Sequence, residues 1–257
     1  MSLKSSANKS LVLANWKMNL SVSQSVNLAK SIAKTVGQLP GIEVGLCPTF
    51  PALAAVSEAV KGKPIALGAQ DVFWKTAGPY TGEVSPSVLR ELGVKYVIVG
   101  HSERRQYLKE TDIMIQQKTL AVLEQGLTPV LCVGETFAER QAGQKDMVVM
   151  RQVTAALKGA TLSAKLELVI AYEPVWVIGS GQAVEPAEAV HTAQVIRQAL
   201  MDIFPPAVIE KQVRIIYGGS VDRTNVSAFV KQPPLTGVLV GGASLEAKKF
   251  IDLVRQL

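Results

Sequence analysis

Short apolar runs alternate with stretches of helical periodicity along all 257 residues of the chain. Eight runs are apolar on both faces and rich in β-branched residues, which predicts strands that are buried on both sides. They cover residues 11–16, 43–47, 65–69, 96–99, 128–133, 168–172, 214–217 and 237–240. Between them, apolar residues recur three or four positions apart, which predicts amphipathic helices. The clearest of these helices cover residues 22–36, 111–125, 186–203 and 245–256.

Strand and helix repeated in this way predict an α/β fold with a parallel sheet covered by helices. With eight units in one chain, closure into a single-domain (β/α)8 barrel over residues 11–257 is the economical arrangement, because it leaves no exposed sheet edge. An open doubly wound sheet is the alternative, although no G-x-G-x-x-G follows the first strand to support it. Residues 1–10 are polar, and we expect them to form a flexible N-terminal extension.

Composition narrows the classes of function. The net charge of +6 and the pI of about 9.3 suit an anionic small substrate, but the basic residues are scattered and aromatic residues make up only 5%. We therefore expect no nucleic-acid partner. Cys47 and Cys132 lie in apolar runs without metal-ligand spacing, which is typical of reduced core cysteines. Without a signal-like segment or an apolar run of about 18 residues, we expect a cytoplasmic protein with no membrane association.

The loops that follow the strands of such a barrel form its functional face, so residues just beyond each strand belong to one ring. Glu173 follows the sixth strand and precedes Pro174, which holds the acid in an extended conformation before a loop bounded by glycines. A carboxylate in that place is a candidate catalytic group beside a candidate lid. An ordinary strand-end acid is the alternative.

Two further strand ends carry ionisable residues. Lys17 follows the first strand, where an ammonium would hold a phosphate or stabilise developing negative charge, although a surface lysine is the favoured interpretation of Lys17 taken alone. His101 follows the fourth strand, and Ser102 can cap the turn after it, so a helix N-terminus would disfavour the imidazolium. A neutral histidine there can donate to a carbonyl oxygen. His191, inside a predicted helix, is assigned a structural role.

Strands seven and eight end in the glycine pairs Y-G-G-S-V at 217–221 and V-G-G-A-S at 240–244. Their N–H groups and the helix starts that follow can cradle a phosphate, and although a tight turn explains one pair, two pairs at these ends favour a phosphate site. The long loop over 68–83 carries Phe73, Trp74 and Tyr80. That much aromatic surface predicts burial against another subunit, with a flap on the same barrel as the alternative.

Seven motifs together resemble the triosephosphate isomerase family over residues 11–257. They are N-W-K-M-N at 15–19, G-A-Q at 68–70, Y-T-G-E at 80–83, G-H-S-E-R-R at 100–105, A-Y-E-P-V-W at 171–176, Y-G-G-S at 217–220 and L-V-G-G-A-S-L at 239–245. The resemblance implies a TIM barrel that interconverts dihydroxyacetone phosphate and D-glyceraldehyde 3-phosphate in glycolysis and gluconeogenesis. It also implies a homodimer that works without a metal or a cofactor.

The resemblance assigns catalytic roles to four residues. Glu173 would be the base that moves a proton through an enediol or enediolate, with His101 as the neutral electrophile. Lys17 would supply positive charge, and Asn15 would position the substrate.

The remaining assignments concern the phosphate, the lid and supporting positions. The resemblance places the phosphate on N–H groups of Gly179, Ser220, Gly241 and Gly242, and the lid at 175–181. It gives supporting positions to Ser102 and Glu103, makes Cys132 a packing neighbour of the base, and puts Thr81 near the tip of a loop that inserts into the partner subunit close to Asn15 and Lys17.

Some positions depart from the family's commonest pattern. Val177, Ser180 and Gln182 stand where Ala, Thr and Lys are usual, which bears on the rate of lid motion rather than on the chemistry. The segment P-P-L-T-G at 233–237 replaces a usually acidic one.

Two other classes of function stay open at this point. A different phosphate-binding barrel enzyme, acting on a larger sugar or indole phosphate, would share the glycine pairs but need not combine Lys17, His101 and Glu173. A non-catalytic barrel used as a scaffold would be expected to have lost at least one of the three.

Overall fold

Eight parallel strands close into a barrel in sequence order. The computed structural model of the chain describes residues 9–36, 39–179 and 182–257. Its strands are β1 Ser10–Asn15, β2 Ile42–Cys47, β3 Ile65–Ala69, β4 Val94–Val99, β5 Thr128–Val133, β6 Leu168–Tyr172, β7 Val213–Tyr217 and β8 Leu235–Val240. Because β1 pairs with both β2 and β8, the sheet has no edge. The predicted (β/α)8 barrel is confirmed, and the open sheet is excluded.

Eleven α-helices accompany the strands within the described residues. They are α1 Val22–Val36, α2 Phe50–Val60, α3 Pro86–Glu91, α4 Ser102–Tyr107, α5 Asp112–Glu124, α6 Phe137–Gln141, α7 Lys145–Leu157, α8 Pro186–Met201, α9 Pro206–Gln212, α10 Val226–Val230 and α11 Ala247–Val254.

The predicted elements match these bounds to within two residues at either end. The helix predicted to start at Thr111 begins one residue later, because Thr111 is its N-cap and its hydroxyl accepts from the N–H of Met114. The first strand ends at Asn15 rather than Trp16, because Lys17 turns the chain with a φ of 50°.

The alternation of side chains along each strand creates two apolar layers. Inward residues such as Leu13, Ile98 and Val169 fill the barrel, whereas outward residues such as Val12, Val97 and Ile170 pack against the helices. Burying each such side chain contributes about 1.5–3 kcal/mol. The barrel is therefore a rigid support for the loops at its ends.

Two predictions fall partly outside the described residues. The N-terminal extension was expected over 1–10, of which residues 1–8 are not described, while Ser10 already belongs to β1 and donates to the carbonyl of Gly41. In the lid, Ser180 is also outside the described residues. In the part of the chain that is described, no helix is long and apolar enough to cross a membrane.

Candidate active site

A cavity of about 390 Å³ opens at the carboxyl ends of the strands. Its lining includes eight of the residues singled out in the sequence, which are Asn15, Lys17, His101, Glu173, Gly179, Ser220, Gly241 and Gly242. The barrel thus brings together side chains and glycines that lie far apart in the sequence.

Glu173 is buried at the end of β6, where both its backbone and its side chain are held by hydrogen bonds. Its N–H donates to the carbonyl of Val133 at 2.7 Å, and its Oε2 accepts from the N–H of Ser102 at 3.0 Å. Its other oxygen, Oε1, is buried and accepts no hydrogen bond from the described residues. A buried carboxylate oxygen without a donor is costly to the fold and is free to take a proton from a bound molecule.

His101 presents its Nε2 to the same place. That atom lies 3.1 Å from Oε1 of Glu173 in a contact that lacks the alignment of a hydrogen bond, whereas Nδ1 accepts from the N–H of Glu103 at 3.2 Å. Because Nδ1 is an acceptor, the ring is neutral and its one proton is on Nε2. The expectation that Ser102 caps α4 was wrong: His101 is the N-cap, and Ser102 is the first helical residue, which frees its N–H for Glu173.

Lys17 is held in a left-handed conformation that few non-glycine residues adopt. The side chain of Asn15 accepts from its N–H at 3.1 Å, and Gln70 donates to its carbonyl at 2.9 Å. Its Nζ lies 2.6 Å from Oε1 of Glu103, at the edge of the cavity. Lys17 thus lines the same cavity as His101 and Glu173.

The glycine-rich ends of β7 and β8 line the same cavity together with Gly179, with Gly218 beside Glu173 and Gly241 beside Lys17. A short 3-10 turn at Gly242–Ser244 follows β8, and its internal bonds use the N–H groups of Ser244 and Leu245. The N–H groups of Gly241, which is the N-cap, and of Gly242, the first residue of the turn, therefore lie at its positive end. Ser220 donates its hydroxyl to the carbonyl of Val177 at 3.2 Å and so contacts the lid.

A buried acid that the sequence reasoning missed holds the start of the lid. The carboxylate of Glu135 accepts from the indole N–H of Trp176 at 2.8 Å, and its carbonyl accepts from the N–H of Val175 at 3.1 Å. Burial raises the pKa of Glu135, while the bond from Trp176 opposes that shift. Glu135 lies two residues beyond β5, so a closer examination of every strand end would have drawn attention to it.

The other predicted positions lie outside the cavity lining. Cys132 is fully buried in β5, where burial first and the charge of Glu173 second raise the pKa of its thiol. Thr81 belongs to the exposed stretch over 75–83. His191 is on the surface of α8, with its Nε2 2.9 Å from Asp146. In the long loop, the rings of Phe73 and Trp74 stack at a centroid distance of 4.0 Å, so each partly covers the other.

Comparison with known proteins agrees with this geometry. The sequence profile of the family described as triosephosphate isomerase matches residues 10–257. The chain belongs to the triosephosphate isomerase family. It is similar to proteins named triosephosphate isomerase from Carboxydothermus hydrogenoformans (44% identity over 96% of this chain and 98% of that protein) and from Moorella thermoacetica (45%, 95% and 97%). A third, from Chloroflexus aurantiacus, is 43% identical over 95% of this chain and 97% of that protein.

Membership in this family makes the chain an enzyme, an isomerase whose substrate class is a triose phosphate. Lys17, His101 and Glu173 line one cavity together with the glycine-rich ends of β7 and β8.

Proposed function

We propose that the protein interconverts dihydroxyacetone phosphate and D-glyceraldehyde 3-phosphate by proton transfer through an enediolate, with Glu173 as the base. The observation that carries the proposal is the buried Oε1 of Glu173, which has no donor among the described residues and faces the Nε2 of His101 in the cavity. A buried carboxylate oxygen that faces an imidazole N–H across a cavity suits a substrate in which the carbon that loses a proton is next to a carbonyl group.

The reaction needs two proton transfers at carbon and one between the two substrate oxygens. The Oε1 of Glu173 takes the proton from the carbon beside the substrate carbonyl, and the electron pair of that C–H bond moves to the carbonyl oxygen. The Nε2–H of His101 and the ammonium of Lys17 stabilise the negative charge that develops there. The hydroxyl proton of the intermediate passes to the former carbonyl oxygen through the imidazole of His101, so that the former hydroxyl oxygen becomes the new carbonyl. Glu173 returns its proton to the former carbonyl carbon, which completes the isomerisation without a redox partner.

The phosphate and the lid keep the intermediate in place. N–H groups of Gly179, Ser220, Gly241 and Gly242 would bind the phosphate, and the lid that begins at Val175 would close over it. Closure excludes water, which strengthens the electrostatic interactions inside and restrains an enediolate that could otherwise eliminate phosphate.

We also propose that the enzyme is a homodimer. Met18, next to Lys17 in sequence, is 92% exposed, and the loop over 75–83 is exposed along its length, including Thr81 and Tyr80. An exposed apolar residue beside the site and an exposed loop tip suit a contact between two copies in which one loop covers the other's Met18. Sedimentation should show a dimer, and a fully active monomer would contradict this proposal.

We place the reaction in glycolysis and gluconeogenesis in the cytoplasm, on the strength of the family and its substrate. Proton transfer with electrostatic stabilisation needs no metal or redox cofactor, so activity should survive a metal chelator unchanged.

Steady-state conversion of D-glyceraldehyde 3-phosphate by the purified protein tests the proposed function. The wild type should approach the diffusional limit of about 10⁸ M⁻¹s⁻¹ in kcat/KM. Glu173→Gln should lose about 10³-fold or more in kcat and still bind a phosphate-bearing enediolate analogue such as phosphoglycolate. Near-normal turnover by Glu173→Gln would remove Glu173 from the mechanism, and an inactive wild type would favour the scaffold alternative.

A further inference from the structure

The pairing between β5 and β6 continues past the ends of both strands. Within the ladder Val133 is opposite Tyr172, and beyond it the N–H of Glu173 donates to the carbonyl of Val133. The N–H of Val175 then donates to the carbonyl of Glu135 at 3.1 Å. The segment 133–135 therefore acts as a template, because its carbonyl groups accept the hydrogen bonds that position the backbone of Glu173 and the start of the lid.

The middle residue of this template, Gly134, needs support from its other side. In a parallel ladder, the peptide groups of alternate residues point to opposite neighbours, so those of Gly134 point away from β6. The strand on that side, β4, pairs with β5 only as far as Leu131. Without another partner, the N–H and the carbonyl of Gly134 would be buried polar groups that lack a hydrogen bond.

The side chain of Gln152 occupies the place of the missing strand. Its Oε1 accepts from the N–H of Gly134 at 2.8 Å, and its Nε2 donates to the carbonyl of Gly134 at 3.2 Å. Gln152 is buried in α7, so both bonds are shielded from water and the side chain is fixed by the helix that carries it.

The backbone of Gly134, which Gln152 holds in place, packs directly against the backbone of the base, Glu173. A Cβ at position 134 would lie 1.7 Å from the carbonyl oxygen of Glu173, so the two backbones are in contact with no space for a side chain. A small rotation of the Gly134 peptide groups must therefore move the backbone of Glu173. It must also move Glu135, whose carboxylate holds Trp176 at the start of the lid.

We propose that Gln152 is a positioning residue for the isomerase reaction: its amide replaces a strand beside Gly134 and thereby fixes both the catalytic base Glu173 and the hinge of the lid. The inference rests on the proposed function, because it assumes that Glu173 is the base. Gln152 itself touches neither the cavity lining nor the reacting atoms.

The test compares two glutamine variants of the full-length protein. Gln152→Met keeps the length of the side chain and removes both bonds to Gly134. Gln212→Met is the matched control, because Gln212 also bonds main-chain groups, the carbonyls of Ser163 and Leu166, but does so at the other end of the barrel, before β7. Both variants should lower the midpoint of thermal unfolding, so kinetics are measured well below the lower midpoint.

Gln152→Met should lose about 10- to 100-fold in kcat with KM within twofold of wild type, because a displaced base reduces turnover more than it reduces phosphate binding. Its affinity for phosphoglycolate, which mimics the enediolate, should fall, while its affinity for glycerol 3-phosphate should not. Gln212→Met should stay within twofold of wild type in kcat. If Gln152→Met does not fold, Gln152→Glu, which keeps an acceptor for the Gly134 N–H, takes its place.

The outcomes separate the inference from the proposed function. An active wild type with a Gln152 variant whose kcat stays within twofold, or whose loss equals that of Gln212→Met, overturns the inference alone. A folded wild type without isomerase activity overturns the proposed function and the inference together.

Discussion

The two histidines of the chain occupy opposite environments. His101 is buried at the N-terminus of α4, where its Nδ1 accepts from the N–H of Glu103. This bond and the adjacent helix end keep the ring neutral. The side chain of His191 is 54% exposed and contacts Asp146 on the helical surface. The ring of His101 thus lines the cavity, while the ring of His191 lies on the protein surface.

The variants His101→Gln and His191→Gln separate these environments. His101→Gln should lose about 10²-fold or more in kcat, because the donor to the developing oxyanion is lost or misplaced. His191→Gln should remain within twofold of wild type in kcat and KM. Steady-state kinetics in both directions measure the difference, and equal losses in the two variants would contradict the role given to His101.

At the scale of single residues, the sequence predicted those whose place follows from a strand end. Lys17, His101 and Glu173 each lie within two residues of the end of a strand, so the barrel topology alone puts them in one ring. Gln152 lies in the middle of a helix, and its place beside Gly134 depends on how α7 packs against the barrel. No local pattern encodes that contact.

In the proposed mechanism, the lid is the element that retains the intermediate. Trp176 anchors its start through the 2.8 Å bond to Glu135, and the guanidinium of Arg140 lies 4.4 Å from the centroid of the indole ring. Arg140 is held in turn by two bonds to Glu188 on α8. The hinge of the lid is therefore attached to the helical layer on the outside of the barrel.

Trp176→Phe keeps an aromatic ring under Arg140 and removes the N–H donor to Glu135. Losing one bond to a buried carboxylate costs about 1–3 kcal/mol, which should shift the lid towards open states. We expect kcat to fall by less than about tenfold, and the inorganic phosphate released per isomerisation to rise several-fold. The ratio of phosphate to isomerised product measures this effect, and an unchanged ratio would show that the anchor does not control lid closure.

The element boundaries show what the periodic pattern could and could not predict. Apolar periodicity identified the strands and the longer helices, but α4 and α6 have only six and five residues, too few for a period to be visible. These short helices exist because of their caps. Thr136 forms a capping box with Glu139 at α6, and His101 caps α4 with a side chain that the sequence reasoning had assigned only to chemistry.

At the scale of the whole molecule, a network of charges closes the end of the barrel opposite to the cavity. Arg214 of β7 donates to Glu43 of β2 at 2.9 Å, to the hydroxyl of Tyr96 of β4 at 2.6 Å, and to Glu167 at 2.9 Å. Lys95 lies 2.6 Å from Glu43. Burial alone would raise the pKa of Glu43, but the bonds from Lys95 and Tyr96 and the charge of Arg214 outweigh it and lower the pKa to about 2.

Because of this network, the contribution of Glu43 to the free energy of unfolding decreases as the pH falls. The folded-state pKa of Glu43 lies below its unfolded value of 4.5, so the carboxylate stabilises the fold above about pH 4.5 and loses that contribution as the pH falls towards 2. After allowance for solvent screening, the contribution is about 2 kcal/mol.

Glu43→Gln should therefore lower the free energy of unfolding by about 2 kcal/mol at pH 7, and the difference from wild type should narrow as the pH falls below 4.5. Denaturant unfolding of wild type and Glu43→Gln from pH 7 to below pH 4.5 measures this difference in the free energy of unfolding. Glu58→Gln is the control, because Glu58 is 73% exposed and pairs only with exposed Lys61 among the described residues. If the difference in free energy of unfolding between wild type and Glu43→Gln widened as the pH fell, it would contradict the lowered pKa of Glu43.

The architecture itself followed from eight repeats of one unit, because a closed barrel is the arrangement that leaves none of eight buried strands at an edge. The closing network did not follow, since Glu43 and Arg214 are 171 positions apart and meet only after the strands have found their registers.

The central claim is that Glu173 moves a proton through an enediolate, and isomerisation in deuterium oxide tests it most directly. A carboxylate that holds the proton between the two transfers can exchange it with solvent, whereas a direct hydride shift between the two carbons cannot. Nuclear magnetic resonance of dihydroxyacetone phosphate formed from D-glyceraldehyde 3-phosphate should show that a substantial fraction carries one deuterium on the carbon beside the carbonyl. Product that carries no deuterium after complete turnover would contradict the claim.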